Sequence, residues 1–95
     1  MMKAQRFDSV WEALEASPAT SANMKARAEL MVALTETIDG WGASQAAAAK
    51  RLGITQPRLN DLLRGRITKF SLDALMKLAP RAGLAVRVKI MRPAA

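Results

Sequence analysis

Neither cysteine nor histidine occurs in this 95-residue chain, which removes disulfides, thiolate zinc sites and the usual catalytic bases or nucleophile pairs built on those residues. No stretch approaches the roughly eighteen consecutive apolar residues of a membrane span. The N-terminus, MMKAQRFDSVWEALEA, is too polar and acidic for a secretory signal. A cytoplasmic protein is therefore expected, located on the nucleoid when it is bound to DNA. The carboxylates lie mostly in the N-terminal half with no recognisable pairing, and no Gly-rich phosphate loop or metal motif accompanies them. Neither enzyme activity nor a metal or cofactor is expected. The hydrophobic content of 51% suffices for one small domain but not for two cores.

What is present is a strong separation of charge. Residues 1–43 carry four Lys or Arg against six Asp or Glu, a balance of −2, whereas residues 44–95 carry eleven against two, a balance of +9. A basic half of this kind is the footprint expected of a phosphate-binding face.

The basic half opens with SQAAAAKRLGITQPRLNDLLRG, residues Ser44 to Gly65, which reads as two short helices joined by a tight turn. Ser44 is a good N-cap, Gln45 opens a helix that runs through four alanines to Leu52, and Gly53 can take the positive φ that ends it. Thr55 caps the second helix, and Pro57 falls in its first turn, where a missing N–H costs nothing. Ala49 is small enough to let the helices approach. Ile54, Leu59, Leu62 and Leu63 recur at spacings of three and four and form the buried side of the second helix. Its other side presents Gln56, Arg58, Asn60, Asp61 and Arg64, mostly side chains suited to base edges or phosphates, with Arg matched to guanine and Gln or Asn to adenine. The loop that follows, RGRITKF, offers Arg66 and Lys69 to phosphate. The same pattern could arise from two amphipathic helices in an ordinary helical bundle, and it is the charge separation that favours a DNA reader.

Elsewhere the signals concern architecture. Asp8 to Glu15 reads as about two turns of helix, followed by the small-residue run ASPATSA. Asn23 caps a longer helix in which Met24, Met31, Leu34, Ile38 and Trp41 form a stripe, ended by Gly40, and core packing explains that stripe better than a ligand pocket. A further helix begins at Ser71, with Phe70 and Leu75 as a hydrophobic staple and Leu72, Leu75, Ala79 and Ala82 facing inward. After Gly83 the period changes to alternation: Leu84, Val86, Val88 and Ile90 point one way, Arg87 and Lys89 the other, which reads as a strand. A lone strand leaves its backbone unsatisfied, so its partner is another molecule or the N-terminal segment. Pairing with its own copy about a two-fold axis is the simplest closed solution; adding to the sheet edge of a different protein competes with it.

The words SQAAAAKRLGITQPRLNDLLRG and FSLDALMKLAPRAGLAVRV resemble the Xre-type, lambda-repressor-like helix-turn-helix proteins, and among them the HigA-type antitoxin branch, over roughly Asn23 to Ile90. The resemblance implies phosphate contacts at Ser44 and Gln45 and major-groove reading by Thr55, Gln56, Arg58, Asn60 and Arg64. Pro57 stands where some lambda-like repressors carry a polar base-contacting side chain, and Pro80 interrupts what is usually an unbroken helix. The expected architecture is mainly α: a lambda-repressor-like bundle of four to five helices with a C-terminal β-strand pairing across a dimer. It divides into residues 1–22 as short helix and linker, 23–83 as the DNA-binding domain and 84–91 as the dimerisation strand.

The function expected from these residues and this resemblance is a sequence-specific repressor that binds double-stranded DNA as a homodimer on two half-sites. The resemblance further implies the autoregulating antitoxin of a type II pair, neutralising a RelE/HigB-like, RNA-cleaving toxin. Asp8, Trp11, Glu12 and Glu15 are the candidate toxin-binding residues. A solitary Xre-type regulator and a protein-interaction module that does not bind DNA are the alternatives.

Overall fold

The computed structural model describes residues 18–93, which form four α-helices and one 3₁₀ turn. In chain order these are α1 (Pro18–Gly40), α2 (Gln45–Leu52), α3 (Gln56–Leu63), the 3₁₀ turn Ile67–Lys69, and α4 (Leu72–Arg81). The helix expected over Asp8 to Glu15 lies outside the described residues.

Helix α1 is longer than its sequence stripe implies. Asn23 is not its cap but a half-buried residue inside it, and the helix opens five residues earlier at Pro18. Proline suits that position because a first-turn N–H has no intrahelical acceptor, and the alanines that follow carry high helix propensity. The small-residue run read as a linker is thus partly the first turns of α1. From there Met24, Met31, Leu34 and Ile38 are buried, with Trp41 packed at the edge of the core. The long helix lies chiefly on α4, while α2 packs against α3.

The largest side chains withdrawn almost completely from solvent among the described residues are Phe70, Leu34, Leu52, Leu59, Leu62 and Leu75. They come from all four helices and the loop before α4, so one cluster ties the whole domain together. No polar or charged residue is buried among the described residues. Ala48 and Ala49 are both buried where α2 meets its neighbours, as two closely approaching helices require. On α4, Leu75, Ala79 and Ala82 face inward as expected, Leu72 is half-buried, and Leu78 joins them. Pro80 is accommodated in the last turn, and α4 ends one residue later. The staple is in place, since Phe70 and Leu75 are both buried on either side of the Ser71 cap.

The turn between α2 and α3 is closed by backbone bonds. Gly53 sits at φ +70°, its N–H donates to Lys50 O at 3.1 Å, and Ile54 N–H donates to Ala49 O at 3.0 Å. That is the 5→2 and 6→1 pairing of a Schellman motif. Arg81 then reaches across from α4 and donates through Nη1 to Leu52 O at 2.9 Å, satisfying another carbonyl at the end of α2. A Cβ on Gly53 would meet that same Nη1. Gly53→Ala should therefore cost about 1–3 kcal/mol, from left-handed backbone strain and the lost Arg81 bond together. In an Arg81→Ala background only the strain should remain. Urea unfolding of the two single variants and the double would show whether the cost of Gly53→Ala shrinks as stated.

The strand expected over Leu84 to Ile90 is not formed. Leu84 N–H donates to Ala79 O at 2.9 Å and its side chain packs on the core, but residues 84–93 have no sheet partner among the described residues. Val86, Val88, Ile90 and Met91 stand 40, 72, 89 and 72% exposed. The reason is the one contained in the sequence pattern itself: a strand needs a second edge to bond to, and the described part of a single chain supplies none.

Candidate nucleic-acid interface

The geometry of α2 and α3 is set by two side-chain caps. Ser44 Oγ accepts from Ala47 N–H at 3.1 Å, and Thr55 Oγ1 accepts from Arg58 N–H at 3.2 Å. Both caps have extended backbone, as an N-cap requires. The two hydroxyls, expected at phosphate and base, thus have a local task. Each still carries a proton that can be donated outward, because a hydroxyl accepts and donates at once. Gln45, beside Ser44, is exposed at the first residue of α2, where backbone N–H groups lack intrahelical acceptors and favour an anion.

On α3 the buried side is Leu59 and Leu62, with Ile54 and Leu63 half-buried at its margins. Gln56 and Arg64 are exposed and Asn60 half-buried. None of these three makes a side-chain hydrogen bond or ion pair among the described residues. They are available to an external partner.

Arg58 and Arg66 are not available in the same way. The Arg58 guanidinium carbon lies 4.0 Å from the centroid of the Phe70 ring, and its Nη1 donates to Lys69 O at 2.7 Å. Arg66 Nη1 pairs with Asp61 Oδ1 at 2.9 Å, so the one acid on α3 is spent on the loop behind it. Arg66 Nε is buried without a partner. Of the two loop cations, only Lys69 is exposed.

A residue that sequence reasoning passed over also acts here. Arg27, on α1, donates through Nη1 to Phe70 O at 3.1 Å and to Ile67 O at 3.4 Å. Its targets are 40 and 43 residues away in the chain, and no local pattern announces such a contact. Arg51, exposed on the last turn of α2, stacks on Trp41 with its guanidinium carbon 4.0 Å from the ring centroid. Trp41 thereby has a polar neighbour outside as well as the core inside.

The expected DNA-contacting residues therefore lie on three pieces of the chain: Ser44 and Gln45 at the start of α2, Thr55 to Arg64 on α3 and its two caps, and Arg66 and Lys69 in the loop, which Arg58 and Asp61 tie to α3. Asp8, Trp11, Glu12 and Glu15 lie outside the described residues. Among the described residues no cluster of His, Cys, Asp or Glu could hold a metal ion, and no helix is long and apolar enough to cross a membrane. A family model for a helix-turn-helix domain matches residues 13–91 of the chain. A search among curated proteins returns no match.

Proposed function

The chain belongs to the helix-turn-helix domain family, and from that premise we propose that it is a sequence-specific transcriptional repressor that reads two half-sites as a homodimer and serves as the antitoxin of a toxin-antitoxin pair. The observation that carries the DNA reading is α3 itself. It is a short helix capped by Thr55 whose buried side is all leucine and whose open side, with the C-cap, offers Gln56, Asn60 and Arg64, within a half of the chain that carries +9. Gln and Asn match adenine and Arg matches guanine in the major groove.

Gln56→Ala and Asn60→Ala should each cost about 1–3 kcal/mol on the preferred site and flatten the preference at a single base pair. Lys69→Ala should weaken preferred and random duplexes alike, because an exposed loop cation meets phosphate rather than a base edge. Titrations on matched and scrambled duplexes test this. If all three substitutions scale both affinities equally, α3 is not the reading helix.

Asp61 supplies an independent check. Asp61→Ala removes a half-buried ion pair worth about 1 kcal/mol or less and leaves Arg66 without its ion-pair partner in the loop proposed to face DNA. Binding to random DNA should strengthen and the slope of log affinity against log salt should steepen by up to about one, as one more cation displaces counterions. An unchanged slope would mean that Arg66 stays away from phosphate.

The homodimer is supported by the tail. Val86, Val88 and Ile90 alternate with Arg87 and Lys89 and stand exposed, and a segment of strand-like pattern that is not a strand in one copy could become one by pairing with a second. Toxin capture is supported by the resemblance to HigA-type antitoxins and by acidic residues, Asp8, Glu12 and Glu15, beside Trp11. The outer side of α1 extends that character, with Val32 exposed between Glu29 and Glu36. A basic RNA-cleaving protein of the RelE/HigB kind fits such a surface by charge. Deleting residues 1–17 should leave cognate DNA binding intact and weaken capture of the toxin encoded beside this chain. Loss of thermal stability with no selective loss of capture would instead make that segment part of the fold, and a solitary regulator would become the better reading.

A further inference from the structure

We infer that Arg58 is a positioning residue, one that locks the loop Arg66–Phe70 to the reading helix so that phosphate-facing loop and base-facing helix move as one body. The inference rests on the DNA-binding reading above and assigns a division of labour within it.

The backbone holds the start of the loop, where Arg66 N–H donates to Asp61 O of α3 and Ile67 N–H to Gly65 O. Beyond that its backbone bonds are the 3₁₀ turn's own, Lys69 N–H to Arg66 O and Phe70 N–H to Ile67 O. Three arginines from outside or beside it add side-chain ties. Arg58, in the first turn of α3, takes the carbonyl of Lys69 at 2.7 Å and lies on the Phe70 ring at 4.0 Å. Arg27 of α1 takes the carbonyls of Phe70 and Ile67. Arg66 is tied back to Asp61 on α3.

Phe70 makes this arrangement stiff. Its ring is 1% exposed and belongs to the core, so the surface on which Arg58 stacks does not move independently of the domain. A planar guanidinium suits that place because it can stack and donate at the same time, which an ammonium cannot do. To reach a base edge, Arg58 would have to give up both its stack and a short charge-assisted bond. Gln56 and Arg64, exposed and without side-chain partners among the described residues, give up nothing.

The consequence is mechanical. Phosphate contacts set the register of a protein on the duplex, and base contacts read within that register. If the loop that holds the phosphate is rigidly joined to α3, every reading side chain inherits one register. If the joint is loosened, discrimination falls at all positions of the half-site together rather than at one.

The test is selection from a randomised duplex library, followed by titration on the selected and scrambled sites, with wild type, Arg58→Ala, Arg58→Lys and Phe70→Leu. We expect Arg58→Ala to lower the ratio of selected to scrambled affinity by on the order of tenfold, the scale of one lost charge-assisted bond. The loss should be spread over the half-site. Arg58→Lys should not rescue it. Phe70→Leu, which removes the stacking face from a ring that DNA cannot touch, should give the same pattern, and the double variant should be little worse than either single. Amide exchange at Thr68, Lys69 and Phe70 should quicken in Arg58→Ala without DNA present. Thermal melting keeps loss of fold apart from loss of reading, and Arg58→Lys serves if Phe70→Leu melts too low.

A loss confined to one base pair, untouched by Phe70→Leu, would make Arg58 a base reader and overturn the inference. Full rescue by lysine would reduce it to a phosphate contact. Unchanged amide exchange would show that no lock exists. A wild-type chain that enriches no sequence would overturn the DNA-binding reading instead, and quickened exchange in Arg58→Ala would show that the failure is not the lock's.

Discussion

Leu59→Ala is expected to remove most of the stability of the domain, by about 2–5 kcal/mol. Leu59 is 0% exposed, it lies one residue from Arg58 on the helix proposed to read DNA, and its cluster includes residues from α1, α2 and α4. A domain of this size holds only about 5 kcal/mol or somewhat more against unfolding. The deleted atoms lose their transfer free energy, and the cavity left behind collapses only in part because Leu52, Leu62 and Leu75 around the core are themselves fixed at full burial. The thermal midpoint should fall by about 10 °C or more. Val32→Ala provides the contrast, since Val32 is 57% exposed on the outer side of α1 and its truncation should change stability by about 0.5 kcal/mol or less. Calorimetry on the two variants measures the difference directly. Equal shifts would mean that α3 is not seated in the core as described, and with that the orientation of Gln56, Asn60 and Arg64 would fall.

Whether a residue's place was legible in the sequence depended on the range of the interaction that fixes it. The caps Ser44, Thr55 and Ser71 and the exit turn at Gly53 are decided within three or four residues, and each is found where its sequence indicates. The burial of Leu34, Leu59, Leu62 and Leu75 follows from helical period, which is equally local. The start of α1 was misplaced because Asn23 is a good cap by type, yet Pro18 with the alanines after it permits a longer helix, and local preference alone does not choose between two admissible starts. The roles of Arg27, Arg58 and Arg81 were not legible at all. Each reaches a backbone carbonyl 11 to 43 residues away, and a carbonyl has no signature in the sequence. Arg58 reads locally as one more exposed cation on a polar helix side; only the fold brings Phe70 beneath it. The same reasoning accounts for the tail, whose alternating pattern is plain while its partner is not encoded in the described part of one chain.

Charge and packing therefore divide the work in this domain. Of the cations around the motif, Arg27, Arg58, Arg66 and Arg81 are tied to the protein's own carbonyls or to Asp61. Lys50, Arg64 and Lys69 are exposed without such ties. A count of basic residues accordingly overstates the number of phosphate contacts one copy can make. On the proposed dimeric reading, joining two copies compensates for the few free cations around the motif, which would give the exposed tail its importance.

Val88→Pro is the substitution expected to show this. In one copy Val88 is 72% exposed and outside every helix, so proline there should leave helical content and the thermal midpoint of the isolated domain where they were. In a paired tail it removes a backbone N–H and fixes φ, which an interior strand position does not tolerate. On the dimeric reading, sedimentation should change from dimer to monomer, and affinity for a duplex with two half-sites about 34 Å apart should fall. The fall should be on the order of a hundredfold or more, because the second half-site is then bound as a separate event rather than at the high effective concentration of a joined pair. Affinity for a single half-site should not change, since Gln56, Asn60 and Arg64 are untouched. An equal loss on one and two half-sites would place Val88 at the DNA instead of between copies. A wild-type chain that sediments as a monomer at roughly micromolar concentration, without any partner present, would remove self-pairing altogether and leave the exposed tail to a different protein.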